Sequence, residues 1–184
     1  MTAPAEGSDE RARARTGDLA AFEGLMRQYE RMVLVTALRL LGNLEDAKDA
    51  SQEAFLRLYR NLHKVESEGN YSAWLYRVTV NVCYDIGRKR KASVPMEDVA
   101  EPADGGENPQ ESVTGAERQR VLRMSLRALS EKERAAVVLR DLEGLATDEV
   151  ARILGSSEAT VRSQISKARI KMKDFVERYF RRRV

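Results

Sequence analysis

The stretch that most restricts the fold is Thr147–Lys173, TDEVARILGSSEATVRSQISKARIKMK, which reads as a short helix, a glycine turn and a longer basic helix. Ala151 sits where two helices would cross closely, and Gly155 can take the left-handed conformation that other residues avoid. Val161, Ile165, Ala168, Met172 and Phe175 then recur at steps of four and three, which places them on one helical face. The opposite face carries Arg162, Ser163, Lys167 and Lys171. A small residue, a turn glycine and an apolar residue at these offsets describe a helix-turn-helix, whose second helix enters the DNA major groove. The spacing also fits an ordinary helical hairpin with a solvated face; the basic face favours DNA.

Charge is spread unevenly along the 184 residues. Residues 1–91 hold 15 basic and 13 acidic side chains, 92–116 hold none and 6, and 117–184 hold 17 and 10. The C-terminal part thus carries the field of a polyanion binder. The middle has the composition of a solvated linker, with Pro95, Pro102, Pro109 and Gly105-Gly106. Strand-type alternation is hard to find, and long periodic segments rich in Ala, Leu, Arg and Glu predict an all-α protein. Its expected organisation is a mobile arm (1–16), an N-terminal helical bundle (17–91), a flexible acidic linker (92–116) and a C-terminal helix-turn-helix domain (117–184).

Cys83 and His63 are the single cysteine and histidine, too few for the usual zinc ligand sets. No run has the length of a membrane span, and the N-terminus lacks a signal-peptide hydrophobic segment, so the chain is expected to be cytoplasmic, without membrane insertion. No P-loop, dinucleotide glycine motif, nucleophile elbow or i,i+4 metal-ligand pair is present, so neither catalysis nor a cofactor is expected.

In the N-terminal bundle, Asp18 can cap a first helix whose face is Phe22, Met26, Tyr29, Val33 and Leu40 and which ends near Gly42, with Asn43 and Leu44 making the turn. A second helix, EDAKDASQEAFLRLYRNLH, has an inner face of Ala47, Ala54, Leu58 and Leu62. Its other face holds Asp49, Gln52, Glu53 and Arg57. Acids repel phosphate, so a carboxylate-rich patch beside Phe55 suits a basic protein surface; a solvated face with a Glu53–Arg57 pair is the plainer reading.

After a polar loop, Tyr71, Trp74, Leu75, Val78, Val82 and Ile86 form the buried face of a third helix, which runs out into the basic cluster Arg88-Lys89-Arg90-Lys91. Asp85 falls within about 20° of Val78 on the helical wheel, where Asn81 or Arg88 could pair it. The aromatics Tyr71, Trp74, Tyr76 and Tyr84 could stack exposed bases, although Trp74 alone reads better as core. Cys83 reads as a core cysteine. Beyond the linker come an amphipathic helix (Val121, Leu122, Met124, Leu126, Leu129), a capping box at Ser130 and Glu133, and a helix stopping at Gly144.

The order of these segments resembles the extracytoplasmic-function (group IV) sigma factors of bacterial RNA polymerase over roughly residues 17–178. The resemblance is carried by DAKDASQEAFLRLY (46–59), by SAWLYRVTVNVCYDIGR (72–88), and by the segment Leu129–Arg169, which is similar to the family's promoter-reading domain. It implies that 17–91 and 117–184 are sigma regions 2 and 4. Asp49, Gln52, Glu53 and Phe55 would face the clamp helices of the polymerase largest subunit, which gives the acidic patch a basic partner. The loop 63–72 would capture a flipped −10 base, with Asn70, Tyr71, Trp74, Arg77, Asn81 and Arg88 on that element. Thr160, Arg162, Ser163, Ser166 and Lys167 would face the −35 element, with Arg140 and Arg169 on phosphates.

The resemblance further implies a monomeric free form, contacts to core RNA polymerase including its flap region, promoter DNA as ligand, a role in stress response and control by an anti-sigma factor. Ala159 stands where the family often has Gly, a change that helix propensity tolerates. Gln164-Ile165-Ser166 stands where many relatives are more basic, which bears on the bases read. The acidic linker could mimic RNA in the polymerase exit path or fold back on the basic C-terminal domain. A stand-alone dimeric helix-turn-helix regulator would account for 130–178 but leave the acidic patch idle. A protein that uses the hairpin only for helix packing would be indifferent to charge reversal at Arg162 and Lys167.

Overall fold

The computed structural model describes residues 19–62, 65, 70–93 and 113–181. The arm 1–16, Asp18, most of the 63–70 loop, the linker core 94–112 and Arg182-Arg183 lie outside them. Seven α-helices order the rest, and there is no strand among the described residues.

Helix α1 (Leu19–Leu41) ends at Gly42, as expected, and Gly42 takes the left-handed conformation with a φ of 70°. Asn43 then caps α2 (Leu44–Arg60), its Oδ1 accepting from the backbone N–H of Glu45 at 2.8 Å and Asp46 at 3.2 Å. Helix α3 (Tyr71–Ser93) completes a three-helix module. A first core lies inside it: Phe22, Leu25 and Val33 from α1, Ala54, Phe55 and Leu58 from α2, and Tyr71, Trp74 and Leu75 from α3.

The second module holds α4 (Val113–Arg127), α5 (Glu131–Val137), α6 (Thr147–Leu154) and α7 (Glu158–Arg181). The capping box forms: Ser130 Oγ accepts from the Glu133 N–H, and Glu133 Oε2 accepts from the Ser130 N–H at 3.0 Å. Helix α5 does not end as an α-helix but widens into a π turn, Val138–Leu142, closed by the Glu143 N–H on the Val138 carbonyl at 2.9 Å. The extra residue turns Asp141 and Glu143 to positions that a regular helix would not give them. Gly155, at φ 58°, ends α6, and the Ser156 N–H reaches back to the Ala151 carbonyl at 2.9 Å. Val161, Ile165 and Ala168 are buried as the seam required, while Met172 and Phe175 are half-buried.

The modules are not independent. One apolar cluster runs from Ala37 and Leu40 of α1 through Tyr76, Val80 and Cys83 of α3 to Leu139, Val150 and Val161 of the second module. Tyr76, Val80 and Cys83, four and three residues apart, are a second apolar stripe on α3 beside the one facing α1 and α2. The two expected helical modules are both present, and among the described residues they pack against each other through this shared cluster.

Polar contacts follow the same seam. Arg134 donates to the Leu40 carbonyl at 2.6 Å and to Leu126 at 2.8 Å, and Arg127 donates to the Gly42 carbonyl. Guanidinium groups of one module thus satisfy carbonyls at the C-terminus of α1, where cations are favoured. Burial pushes the Cys83 thiol up to about 12, in keeping with a packing role.

Glu133 is also gripped by Lys171, whose Nζ lies 2.8 Å from both carboxylate oxygens. This hydrogen bond, aided by Ser130, holds the carboxyl down at about 2, against an ordinary value of 4.5. A depressed carboxyl contributes stability above its unfolded value and loses it as pH falls. Thermal melts should therefore show wild-type stability declining between pH 4.5 and 2, with the Glu133→Gln variant less stable at pH 7 and flatter across that window.

Candidate protein-docking and nucleic-acid surfaces

On α2 the outer face divides differently from the sequence expectation. Asp49 and Gln52 are exposed, and Glu53 is half-buried and paired with Arg57 at 2.7 Å. Phe55, expected on the docking face, points the other way and is 4% exposed in the first core. One residue on, a rotation of about 100° brings Leu56 outward. Leu56 and Tyr59 are 43% and 51% exposed, and with Asp49 and Gln52 they make one stripe at steps of three, four and three. Tyr59 is steadied by the Phe22 ring, edge-on at 5.1 Å. The result is a mixed acidic and apolar strip, the composition of a protein-docking face rather than of a solvated helix back. The sequence signal for Leu56 and Tyr59 was their offset from the Ala47–Ala54–Leu58 face.

Between α2 and α3 runs a groove of about 520 Å3 lined by Asp49, Glu53, Arg57, Asp85, Arg88 and Lys89, among others. Asp85 is not buried: its side chain is 43% exposed, pairs with Arg88 and lies 3.9 Å from Arg57. Arg90 crosses to Asp46 at 2.7 Å. The basic end of α3 is therefore largely engaged with carboxylates of α2 and α3.

Of the residues expected at the −10 element, Tyr71 and Trp74 are core residues, 7% and 9% exposed, so their rings do not present a stacking platform. Asn70 is exposed and caps α3, its Oδ1 accepting from the Ala73 N–H at 3.0 Å. Arg77, Asn81 and Arg88 do share one stripe of α3, and Asn81 and Arg88 are exposed. Tyr84, on the same stripe, reaches the second module, donating to the Glu131 carbonyl at 3.5 Å; burial pushes its phenol up to about 12. Tyr76 is buried beneath the second module. The loop 63–72, expected to capture a base, lies mostly outside the described residues.

On α7, Ser157 caps the helix through the Thr160 N–H at 3.1 Å and shares a hydroxyl contact with Thr160 at 2.8 Å. Arg162, Ser163, Ser166 and Lys167 are all exposed, with Arg162 paired to Glu158 one turn back. The structure brings Arg140, Arg162, Ser166 and Arg169 together around a groove of about 440 Å3, with Thr147 and the exposed Ile170 as further lining. Arg169 forms a two-pronged pair with Asp141 at 2.7 and 2.8 Å, which raises its pKa further. Arg140 donates to the Leu145 carbonyl at 3.1 Å. Lys171, expected on the same basic face, is engaged by Glu133. Among the described residues, no group of three or more His, Cys, Asp or Glu side chains could hold a metal, and no helix is long and apolar enough to cross a membrane.

A helix-turn-helix with an open basic face, joined to a helical module with an acidic-apolar strip, matches two family models in order: Sigma-70 region 2 over residues 25–93 and Sigma-70, region 4 over 119–172. The ECF RNA polymerase sigma-E factor of Escherichia coli K12 is 31% identical, over 92% of this chain and 94% of that protein. The ECF RNA polymerase sigma factor SigM of Mycobacterium tuberculosis H37Rv is 34% identical over 85% of this chain and 77% of that protein. SigE of Mycolicibacterium smegmatis is 35% identical over 89% of this chain, which spans 66% of that relative's length. The fold matches CnrH, solved in complex with the cytosolic domain of CnrY, at a TM-score of 0.67 and 24% identity over 91% of this chain and 95% of that one. It also matches Bartonella quintana RpoE, solved in complex with the anti-sigma factor NepR, at 0.66 and 24% over 85% and 96%. The chain belongs to the ECF sigma factors of RNA polymerase.

Trp74 is the discriminating residue for the first module. As a core side chain, Trp74→Ala should lower the stability of the chain by about 3–5 kcal/mol in urea unfolding. A ring serving only to stack DNA bases would leave the unfolding midpoint unchanged.

Proposed function

We propose that this chain is a non-catalytic specificity subunit that docks on core RNA polymerase and directs initiation at promoters carrying −10 and −35 elements. The observation that carries the reading is the presence in one chain of two unlike surfaces: the Asp49–Gln52–Leu56–Tyr59 strip on α2 and the open basic face of α7. A DNA-binding protein acting alone has no use for the first. A protein adaptor has no use for the second.

The α2 strip docks on the clamp helices of the largest subunit, with Asp49 and Gln52 meeting basic groups and Leu56 and Tyr59 supplying apolar anchorage. Arg77, Asn81 and Arg88 border the −10 element. Arg162, Ser163, Ser166 and Lys167 enter the −35 major groove, while Arg140, Arg169 and the Thr160 end of α7 face the backbone, where phosphate contacts fix register. The C-terminal module rests on the flap region. An anti-sigma factor controls access, as the solved complex of the Bartonella relative suggests by its partner. The work is cytoplasmic, where the polymerase is.

Transcription reconstituted from core polymerase and this chain tests the reading: initiation should occur at a defined start site. Arg162→Glu with Lys167→Glu should cut promoter use at least tenfold, since each base-edge contact discriminates by about 1–3 kcal/mol. Asp49→Lys with Leu56→Ala should weaken core binding about tenfold or more while leaving the stability of the chain unchanged. Absence of any core binding by the wild-type chain would contradict the reading.

A further inference from the structure

The seam between the modules holds a feature that neither surface uses. Glu143, just after the π turn, places its carboxylate against the N-terminal module with its side chain 11% exposed. Oε1 accepts from Arg39 at 2.7 Å and from the Thr36 hydroxyl at 3.0 Å, and Oε2 accepts from the Tyr76 hydroxyl at 3.1 Å. All three donors come from the other module. Thr36 is fully buried and Tyr76 is 6% exposed, at positions that apolar residues would otherwise fill. Arg39 also donates to the Leu142 carbonyl at 3.3 Å.

A carboxylate this enclosed is tolerated only because donors surround it. The same groups are well hydrated once the seam parts, so opening exchanges these bonds for bonds to water. A seam closed by apolar groups alone would lack that exchange.

The closed arrangement does not fit the proposed task. Elements centred near −10 and −35 lie about 25 base pairs apart, or roughly 85 Å along B-form DNA. A compact chain of this length has a radius of gyration of about 16 Å and is roughly 40 Å across. With α3 and α6 packed on one shared core, the two DNA-facing surfaces cannot reach both elements together. We propose that the Glu143 cluster is a latch: added to the shared apolar core, it biases the free chain toward the closed, promoter-incompetent form, and its strength tunes the fraction of chains ready to engage polymerase and both elements. This rests on the function proposed above for its consequence, though not for the closure itself.

Apparent affinity for the final complex falls by the fraction of chains in the open form. Hydrogen bonds to charged groups, discounted for the part exposure of Arg39, make the latch worth about tenfold in that fraction. Four full-length chains are compared: wild type, Arg39→Glu, Glu143→Arg and the double exchange, which restores an opposite-charge pair. Small-angle scattering reads closure, and promoter-complex formation with core polymerase at limiting chain concentration reads competence.

Each single variant should have a larger radius of gyration and form complexes about tenfold more efficiently, and the double exchange should return both readouts toward wild type. Singles as compact as wild type, or a double exchange whose effects merely add, would overturn the latch. If circular dichroism shows a single variant unfolded, Thr36→Val with Tyr76→Phe removes two donors without altering charge; no expansion and no gain in that chain would overturn it as well. Scattering tests closure even if the wild type supports no transcription, so failure of the latch and failure of the functional reading are distinguishable.

Discussion

Helix α3 carries apolar side chains on two sides, and a helix apolar on two sides must be covered twice. Tyr71, Trp74 and Leu75 are covered by α1 and α2. Tyr76, Val80 and Cys83 are covered by the second module. The second covering is what joins the halves into one body, and the remaining seam contacts depend on it. Arg127 and Arg134 reach the carbonyls ending α1 only because α4 and α5 are held there, and Glu143 finds its three donors only where α1 and α3 present them together. Each of these polar contacts is modest alone; the shared core keeps them within reach of one another.

The surfaces proposed to be functional carry charges that are already paired within the chain. Arg88 and Arg90 lie on Asp85 and Asp46, Arg162 on Glu158, and Arg169 on Asp141. Exposed pairs of this kind contribute little to stability. They do keep a strongly basic face from acting as an indiscriminate polyanion trap, because a phosphate has to displace an existing carboxylate. The proposed DNA face is thus open in shape but partly satisfied in charge.

What the sequence revealed was whatever local spacing decides. The α7 seam, the glycine turns at Gly42 and Gly155, and the Ser130–Glu133 capping box all depend on residues within a turn or two of one another, and all form. What it hid depends on which neighbour lies on which side. Phe55 and Leu56 differ by one position, and only the placement of α1 and α3 decides which is core. Tyr71 and Trp74 were legible as core from their spacing with Leu75; it is the −10 role implied for them by the resemblance that their burial leaves without an exposed ring. The π turn after α5 adds a residue to the helical register, so a regular wheel misplaces Asp141 and Glu143. Thr36 and Tyr76 carried a signal, hydroxyls on otherwise apolar faces, but its meaning required the partner carboxylate 107 and 67 residues away. The joining of the halves was least legible of all, since a shared core depends on residues far apart in the chain and the acidic, proline-bearing linker left the arrangement open.

The proposed function and the proposed latch together require one chain with two arrangements, closed when free and open on polymerase. The most direct measurement is the distance between spin labels at two exposed positions, Gln28→Cys on α1 and Lys173→Cys on α7, with the buried Cys83 replaced by Ala. Pulsed electron resonance on the free chain should give one short, narrow distance. Adding core polymerase and promoter DNA should replace it with a distance tens of ångströms longer, the scale set by the two elements. A free chain with a broad, long distribution, or a bound chain that keeps the short distance, would contradict the account.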